Sequence, residues 1–543
     1  MANDLKIGLT FSGGGYRAAM FDLGTLSFLN YVKMKDGDTL LSHVAALTSV
    51  SGGTIPAMKY MLSQAKGQPV EKMVKELYEF LCNEDLMGEA LSQMNAERAN
   101  RDSSSIKIMA GIYDSRLFNN ATMGDIIDNF DKIPVEDYTA LATDFDNSLP
   151  FRFRVTSTRS AQTASGASRE TYGVFGNQKH SISRSVVRYI TPGEAMACSS
   201  CFPSGFEPMM YPNDFKVSQR DDLKDKLSSP FGIMDGGLTD NQGIEPVLLA
   251  EQRMRKYRDD KDRTDKALDL IIISDVASPY MEGYAPSKQA MPKWMGKLTM
   301  GRLHNYGLIA ELVALLLFGL ALTLGNSFWL GVMTVILAIV TALNVTGKWL
   351  KGKLFKTITN TFVGNRANFI SHLKFASIEA MLMNRAKSLI MMSSEVFLKR
   401  MRQLNYGSVY KDKEWFNRLV STIVYELREG ENWEKRKNNG TLPDGLEPSK
   451  KIQDNTALAA SMGTTLWFTD EHKAAGMPEA LLADGQYTMC YNLLMYIDGI
   501  KKDQTNLNAS HQLIIDCEQT IMEAWKRFQD DPLWLVKQIT GKA

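Results

Sequence analysis

Twice near its start the chain passes from a short apolar run through a glycine turn into a helix. Leu5–Phe11 leads through Ser12-Gly13-Gly14-Gly15-Tyr16-Arg17 into a helix reaching Leu29, and Val44–Val50 leads through Ser51-Gly52-Gly53 into a second. A helix after each strand carries the chain back across the sheet, so the repeat predicts parallel strands with both turns on one sheet edge. Backbone N–H groups of the first turn then come within reach of the hydroxyl at the tip of the second. That is the geometry of an oxyanion hole beside a nucleophile, and it implies an acyl hydrolase.

Further runs rich in Val, Ile, Leu and Phe predict strands at Phe151–Thr156, Gly232–Met234 and Leu268–Ser274. Val70–Met94 and Ile106–Phe130 read as helical with polar interruptions. The alternation predicts an α/β fold with a mostly parallel sheet covered on both faces. Thr158–Arg184, rich in Ser, Thr, Gly and Gln, is predicted to be a long loop. With 62 basic and 61 acidic residues the net charge is +1, so no broad positive field argues for nucleic acid. Cys82, Cys198, Cys201, Cys490 and Cys517 are too few and scattered for a disulfide scaffold and suit a reducing compartment. Cys198-Ser-Ser-Cys201 has zinc-knuckle spacing but no second pair nearby, and it is read as small side chains packed near the sheet. No basic leader with an apolar core precedes the first strand, and no secretory signal is expected.

Tyr306–Leu324 carries one charge, Glu311; Gly325-Asn326-Ser327 signals a turn, and Phe328–Val345 is uncharged. At helical rise each run is about 27 to 28 Å long, near the thickness of a bilayer's hydrocarbon core. Lys293, Lys297 and Arg302 precede the pair, and Lys348, Lys351, Lys353 and Lys356 follow it. A transmembrane hairpin with both ends in the cytoplasm is expected, with Glu311 near the cytoplasmic end reaching headgroups or a lysine. Pro286–Asn305 mixes Lys with Trp and Met and suits the interface of an anionic membrane.

Three short motifs carry chemistry. Ser51 follows a buried strand and precedes a helix with Pro56 in its first turn, as a nucleophile elbow requires. The first glycine turn fails the Walker pattern, since no Gly-Lys-Ser/Thr follows. Gly13-x-Gly15-x-x-Ala18 with Asp36 or Asp38 does satisfy a loose dinucleotide pattern, so an oxidoreductase is one alternative; a non-catalytic membrane scaffold is another. Met234-Asp235-Gly236-Gly237 ends a strand on an acid that can take the Ser51 proton, with a calcium site or a plain turn as the other readings. Asp275, after Ile271-Ile-Ile-Ser274, is the competing acid. His43 lies at the far end of the strand that Ser51 follows, and His180, His304, His372, His472 and His511 carry no motif.

Taken together, Gly13-Gly14-Gly15-x-Arg17, Ser51-Gly52-Gly53 and Asp235-Gly236-Gly237 resemble the patatin-like phospholipase family. Ala195–Pro203 resembles the family's small-residue helix ending in a Phe-Pro turn, and Thr464-Thr465-Leu466 and Leu482–Gly485 are similar to its closing helices. Position 49 is Ser where the family's elbow usually has Gly. The resemblance implies a three-layer α/β/α hydrolase fold with Ser51 as nucleophile and Asp235 as base. It implies an oxyanion hole of Gly13, Gly14 and Gly15, with Arg17, Gly53, Gly236 and Gly237 in support. Arg17 would hold the loop or meet a lipid phosphate. No cofactor or metal is needed by this route. The expected substrate is a phospholipid or another acyl lipid, and the expected partners are the bilayer, with no nucleic acid, and a second copy or regulatory protein that restrains the enzyme. The expected segments are 1–285 as catalytic core, 286–305 as interfacial linker, 306–346 as inserted hairpin, 347–500 as a helical continuation and 501–543 as C-terminal helices. A bacterial inner membrane, with the catalytic domain cytoplasmic, is the expected location.

Overall fold

Every residue of β1 (Ile7–Phe11) and β2 (Val44–Val50) is buried, as befits apolar strands covered on both faces. The computed structural model describes residues 5–84, 86–97, 104–159, 169–203, 205–256, 266–276, 284–286, 297–358, 374–503 and 509–541. Sheet order places β3 (Asp137–Asp144) beside β2, then β4 (Leu149–Arg159), β5 (Arg169–Gly176) and β6 (Ser181–Ile182). β7 (Met209–Tyr211) pairs with β8 (Phe231–Asp235), which also pairs with β3. On the other flank β9 (Leu270–Asp275) lies between β1 and β10 (Leu419–Ile423). The run β10-β9-β1-β2-β3 is parallel, and β4 to β8 pair antiparallel. The fold is mixed α/β around a mostly parallel central sheet.

All of the expected strands are present, but β3, the most consequential, has no apolar run to betray it. Its sequence Asp-Tyr-Thr-Ala-Leu-Ala-Thr-Asp is buried throughout. The acids at its ends are tolerated because each is bonded: Asp137 accepts two hydrogen bonds from Arg253, at 2.8 and 2.9 Å, and Asp144 accepts from Asn147 and Asn177. β5 falls inside the stretch expected to be loop, of which residues 160–168 lie outside the described ones. Val70–Met94 and Ile106–Phe130, expected to be helical with polar interruptions, each contain two helices.

Helix α1 (Gly15–Tyr31) is buried along most of its length and crosses the helix Met477–Lys502 backbone to backbone. A Cβ on Gly485 would stand 2.0 Å from the Phe21 carbonyl oxygen, so only glycine permits that approach. Helix α2 (Thr54–Ala65) follows the second glycine turn.

The chain forms two compact units, one of Met1–Met281 with Ser393–Ala543 and the other of Glu282–Met392. In the second, helices Met300–Thr323 and Ser327–Ile358 make an antiparallel pair joined at Gly325, whose φ is +65°. The Asn326 side chain caps the second helix, accepting from the N–H groups of Phe328 and Trp329 at 3.0 and 3.3 Å. Two stretches, Asn305–Thr323 and Ser327–Thr346, are long and apolar enough to cross a membrane, and Leu316, Leu324, Phe328 and Leu343 among others are exposed. Glu311 departs from expectation. Its carboxylate accepts from Asn344 at 2.9 Å and Thr341 at 3.2 Å on the facing helix, while Asn344 also donates to the Gly307 carbonyl. An acid in apolar surroundings is stabilised by such donors, and here they fix the register of the pair. Residues 287–296 of the expected interfacial segment lie outside the described ones.

Candidate active site

The chain leaves β2 at Val50 and turns so sharply that Ser51 takes a φ of +49°, a left-handed conformation unusual for a residue with a side chain. The turn is pressed against the first glycine turn. A Cβ on Gly52 would lie 2.1 Å from the carbonyl oxygen of Gly15, and one on Gly13 would lie 3.0 Å from the Ser51 Cβ. A Cβ on Gly53 would lie 2.7 Å from the Ser12 carbonyl oxygen. Helices α1 and α2 therefore begin side by side, and both N-termini direct positive potential at this corner.

Asp235 reaches the same corner through β3. Along one flank of β3, Val50 of β2 stands opposite Leu141, and Asp235 of β8 stands opposite the next residue, Ala142. Since β2 runs parallel to β3 and β8 antiparallel, the two strands point at each other and end there. The residues that terminate them, Ser51 and Asp235, are brought together although 184 positions separate them in the chain (235 − 51). Asp235 is 3% exposed. Its Oδ1 accepts the Gly237 N–H at 2.7 Å, and its Oδ2 has no hydrogen bond among the described residues. Burial pushes its carboxyl up to about 6, with the nearby Ser51 hydroxyl and the Gly237 N–H pulling the other way. A carboxyl in that position can hold or release a proton near neutral pH. Gly236 is required by contact, because its Cβ would meet the Leu141 carbonyl at 2.3 Å.

The three glycines of the first turn are not equivalent. Gly13 donates its N–H to the Asn241 carbonyl at 2.9 Å, so it anchors the turn instead of facing a ligand. This corrects the expectation that all three amides serve an oxyanion hole. The N–H groups of Gly14 and Gly15 have no acceptor among the described residues, and Tyr16 donates to the Thr465 carbonyl at 2.7 Å. Arg17 is a clasp: its guanidinium donates to the Met462 carbonyl at 2.8 Å, with the Thr464 hydroxyl at 3.5 Å. The loop-holding role is the one its contacts describe.

Asn241 and Ser199 are contributors that the motifs did not reveal. Asn241 also donates its side-chain N–H to the Gly13 carbonyl at 3.4 Å, joining the segment after Asp235 to the first turn. Ser199, on the buried small-residue helix Pro192–Ser200, accepts the Ser51 N–H at 2.9 Å. The only hint was the resemblance of Ala195–Pro203 to a family helix.

The competing residues lie elsewhere. Asp275 ends β9, where Arg402 pairs with it at 2.8 Å and the Tyr406 hydroxyl donates at 3.1 Å. Asp36 and Asp38 precede β2, at the sheet edge opposite the glycine turns, whereas a dinucleotide's ribose is read at the carboxyl ends of the strands. His43 contacts the Leu5 carbonyl at 3.1 Å, and His180 contacts Asp144 at 2.9 Å. Asp36, Asp38 and His43, and likewise Asp144, Asp146 and His180, are close enough to share a cation, but neither group includes a residue of the turns. Cys198 and Cys201 are buried and lie against the Met209 sulfur and the Glu207 carbonyl.

No protein-family model matches the chain, and no curated protein matches it. In structure it is similar to human GIVD cytosolic phospholipase A2, over 50% of this chain and 43% of that one, at 13% identity and a TM-score of 0.29. It is also similar to VipD from Legionella pneumophila, over 99% of this chain and 90% of that one, at 11% identity and a TM-score of 0.26. The match to the human enzyme spans less than half of that enzyme's length. At these scores the similarities carry no chemistry across, which rests on the residues described above.

Proposed function

We propose that the protein is a serine acyl hydrolase that cleaves fatty-acyl esters of phospholipids or related lipids, held at the cytoplasmic face of a membrane by its apolar hairpin. The observation that carries this reading is the meeting of β2 and β8 on one flank of β3, which sets the Ser51 turn beside the buried Asp235 carboxyl. Ser51 Oγ attacks the ester carbonyl carbon while Asp235 takes its proton. Negative charge moves to the carbonyl oxygen, where the N–H groups of Gly14 and Gly15 and the two helix N-termini stabilise it. Collapse expels the lysolipid oxygen, which recovers the proton from Asp235. Water then attacks the acyl-serine with Asp235 again as base, the bond from Ser51 Oγ to the acyl carbon breaks as Asp235 returns the proton to Oγ, and the fatty acid leaves.

The hairpin supports the lipid part of the reading. Its apolar helices have exposed side chains that water would disfavour and acyl chains would solvate, and their ends carry an excess of Lys and Arg. Anchoring raises the local concentration of an insoluble substrate with no new contact in the site. The test is fatty-acid release from phospholipid vesicles carrying the purified protein, followed by mass spectrometry. Wild type releases fatty acid, and Ser51→Ala loses that release by at least about 10⁴-fold. Equal release from both would end the proposal.

A pH profile follows from the same site. Asp235 accepts a proton only when ionised, so kcat/KM climbs as pH rises through about 6 and flattens above it. A soluble thioester assayed across that range measures the limb. A profile that falls with rising pH through the same region would contradict the assignment of Asp235 as base.

A further inference from the structure

We infer that the Ser199 hydroxyl is the positioning group that aligns nucleophile and base, a role that rests on Ser51 and Asp235 acting as proposed. The hydroxyl sits where β2 and β8 both end, at the point where β3 would otherwise have no neighbour to bond. It donates to the Leu141 carbonyl at 2.7 Å, and Leu141 is the β3 residue opposite Val50. It accepts the Ser51 N–H at 2.9 Å. The Thr54 hydroxyl lies 2.9 Å away, and because the only proton of Ser199 is committed to Leu141, Thr54 must be the donor. One donor and two acceptor sites are the full capacity of a serine hydroxyl, and all three are used inside the protein. The backbone of the same residue holds the other turn, since the Ser199 carbonyl accepts the Gly236 N–H at 3.2 Å.

Ser199 therefore binds the amide of the nucleophile through its side chain and the amide next to the base through its main chain. The residue is fully buried, so no water replaces a bond that is lost. Ser51 needs such a hold because its left-handed φ is disfavoured for a side-chain-bearing residue and persists only where the surroundings enforce it. Ser199→Ala leaves three polar groups without their partner and removes the enforcing bond, while the Ser199 carbonyl keeps its grip on Gly236. The prediction is that Ser51 relaxes away from Asp235 while Asp235 stays in place.

That asymmetry gives a readout that mere loss of structure does not. The Ser51 hydroxyl helps to hold down the Asp235 carboxyl, so its withdrawal lets burial push that carboxyl further up. The experiment uses the full chain and a fluorophosphonate probe, in which Ser51 Oγ bonds to phosphorus, fluoride leaves and Asp235 receives the serine proton. Labelling needs no knowledge of the lipid. Ser199→Ala is expected to label about 10- to 100-fold more slowly, with the acid limb of the rate moved upward by about one pH unit. Thr54→Val removes one of the three bonds and falls between Ser199→Ala and wild type in both measures. Wild-type labelling by Ser199→Ala, or slower labelling with the limb unmoved, overturns the inference. If Ser199→Ala does not fold, Thr54→Val decides on the same limb, and an unmoved limb again overturns it. A wild type that takes no label at position 51 removes the nucleophile assignment itself, and this inference with it.

Discussion

Asp235→Asn is expected to abolish ester hydrolysis and, at alkaline pH, to make the protein more stable than wild type. The loss follows from basicity: an amide cannot take the serine proton, and removal of a base that acts with its nucleophile costs at least about 10³-fold in kcat. The gain follows from burial. The carboxyl of Asp235 is raised from an ordinary 3.8 to about 6, so the folded protein binds a proton that the unfolded chain has already released between those values. Below the ordinary value both states are protonated and the site costs nothing. As pH rises through about 6 the buried charge must be carried, at roughly 1 to 3 kcal/mol. Asparagine has the same shape, its oxygen can keep the Gly237 N–H bond, and it brings no charge. Urea unfolding checks this: the variant is the more stable by roughly that amount near pH 8, and the difference shrinks towards about pH 4. A variant less stable than wild type at both values would mean that Asp235 is a structural anion.

The second large effect concerns the hairpin. Excising residues 307–344 is expected to release the protein from membranes into the soluble fraction after alkaline extraction. The excision is feasible because Asn344 already donates to the Gly307 carbonyl at 2.9 Å, so the cut ends are adjacent and a short Gly-Ser linker joins them. Hydrolysis of lipid in vesicles then falls by about 100-fold, the size of a lost local-concentration effect. Hydrolysis of a water-soluble short-chain ester stays within about threefold of wild type, because none of the residues of the Ser51 corner lies in the excised stretch. Circular dichroism separates the alternatives. If the excised protein loses its fold, the two helices are core and not anchor, and the membrane reading fails.

The turns were legible because they are local: a glycine turn between an apolar strand and a helix is written in consecutive residues. The hairpin was legible for the same reason, as two long apolar runs, with Glu311 their one charge, around a Gly-Asn-Ser turn. Features that depend on partners distant in the chain are not legible in this way. β3 carries acids at both ends that read as turn residues until Arg253 and the side chains around Asp144 are seen to satisfy them. Without β3 no sequence argument could say that β2 and β8 end against one another. Ser199 looks like any small helical residue, because its importance comes from Leu141, Ser51 and Thr54, each on a different element. At Glu311 the sequence points to lipid or lysine, because the polar residues of the facing helix that bond it, Thr341 and Asn344, are weak signals among apolar neighbours.

The clasp between Arg17 and Met462 joins positions 445 apart in the chain. A ribosome must therefore deliver most of the polypeptide, both greasy helices included, before the loop that would cradle a reacting carbonyl is fastened from outside. On the proposed function, hydrolytic competence would arrive late in synthesis, after the proposed tether has emerged, and a prematurely ended product would carry its serine without the fastening that prepares it to act.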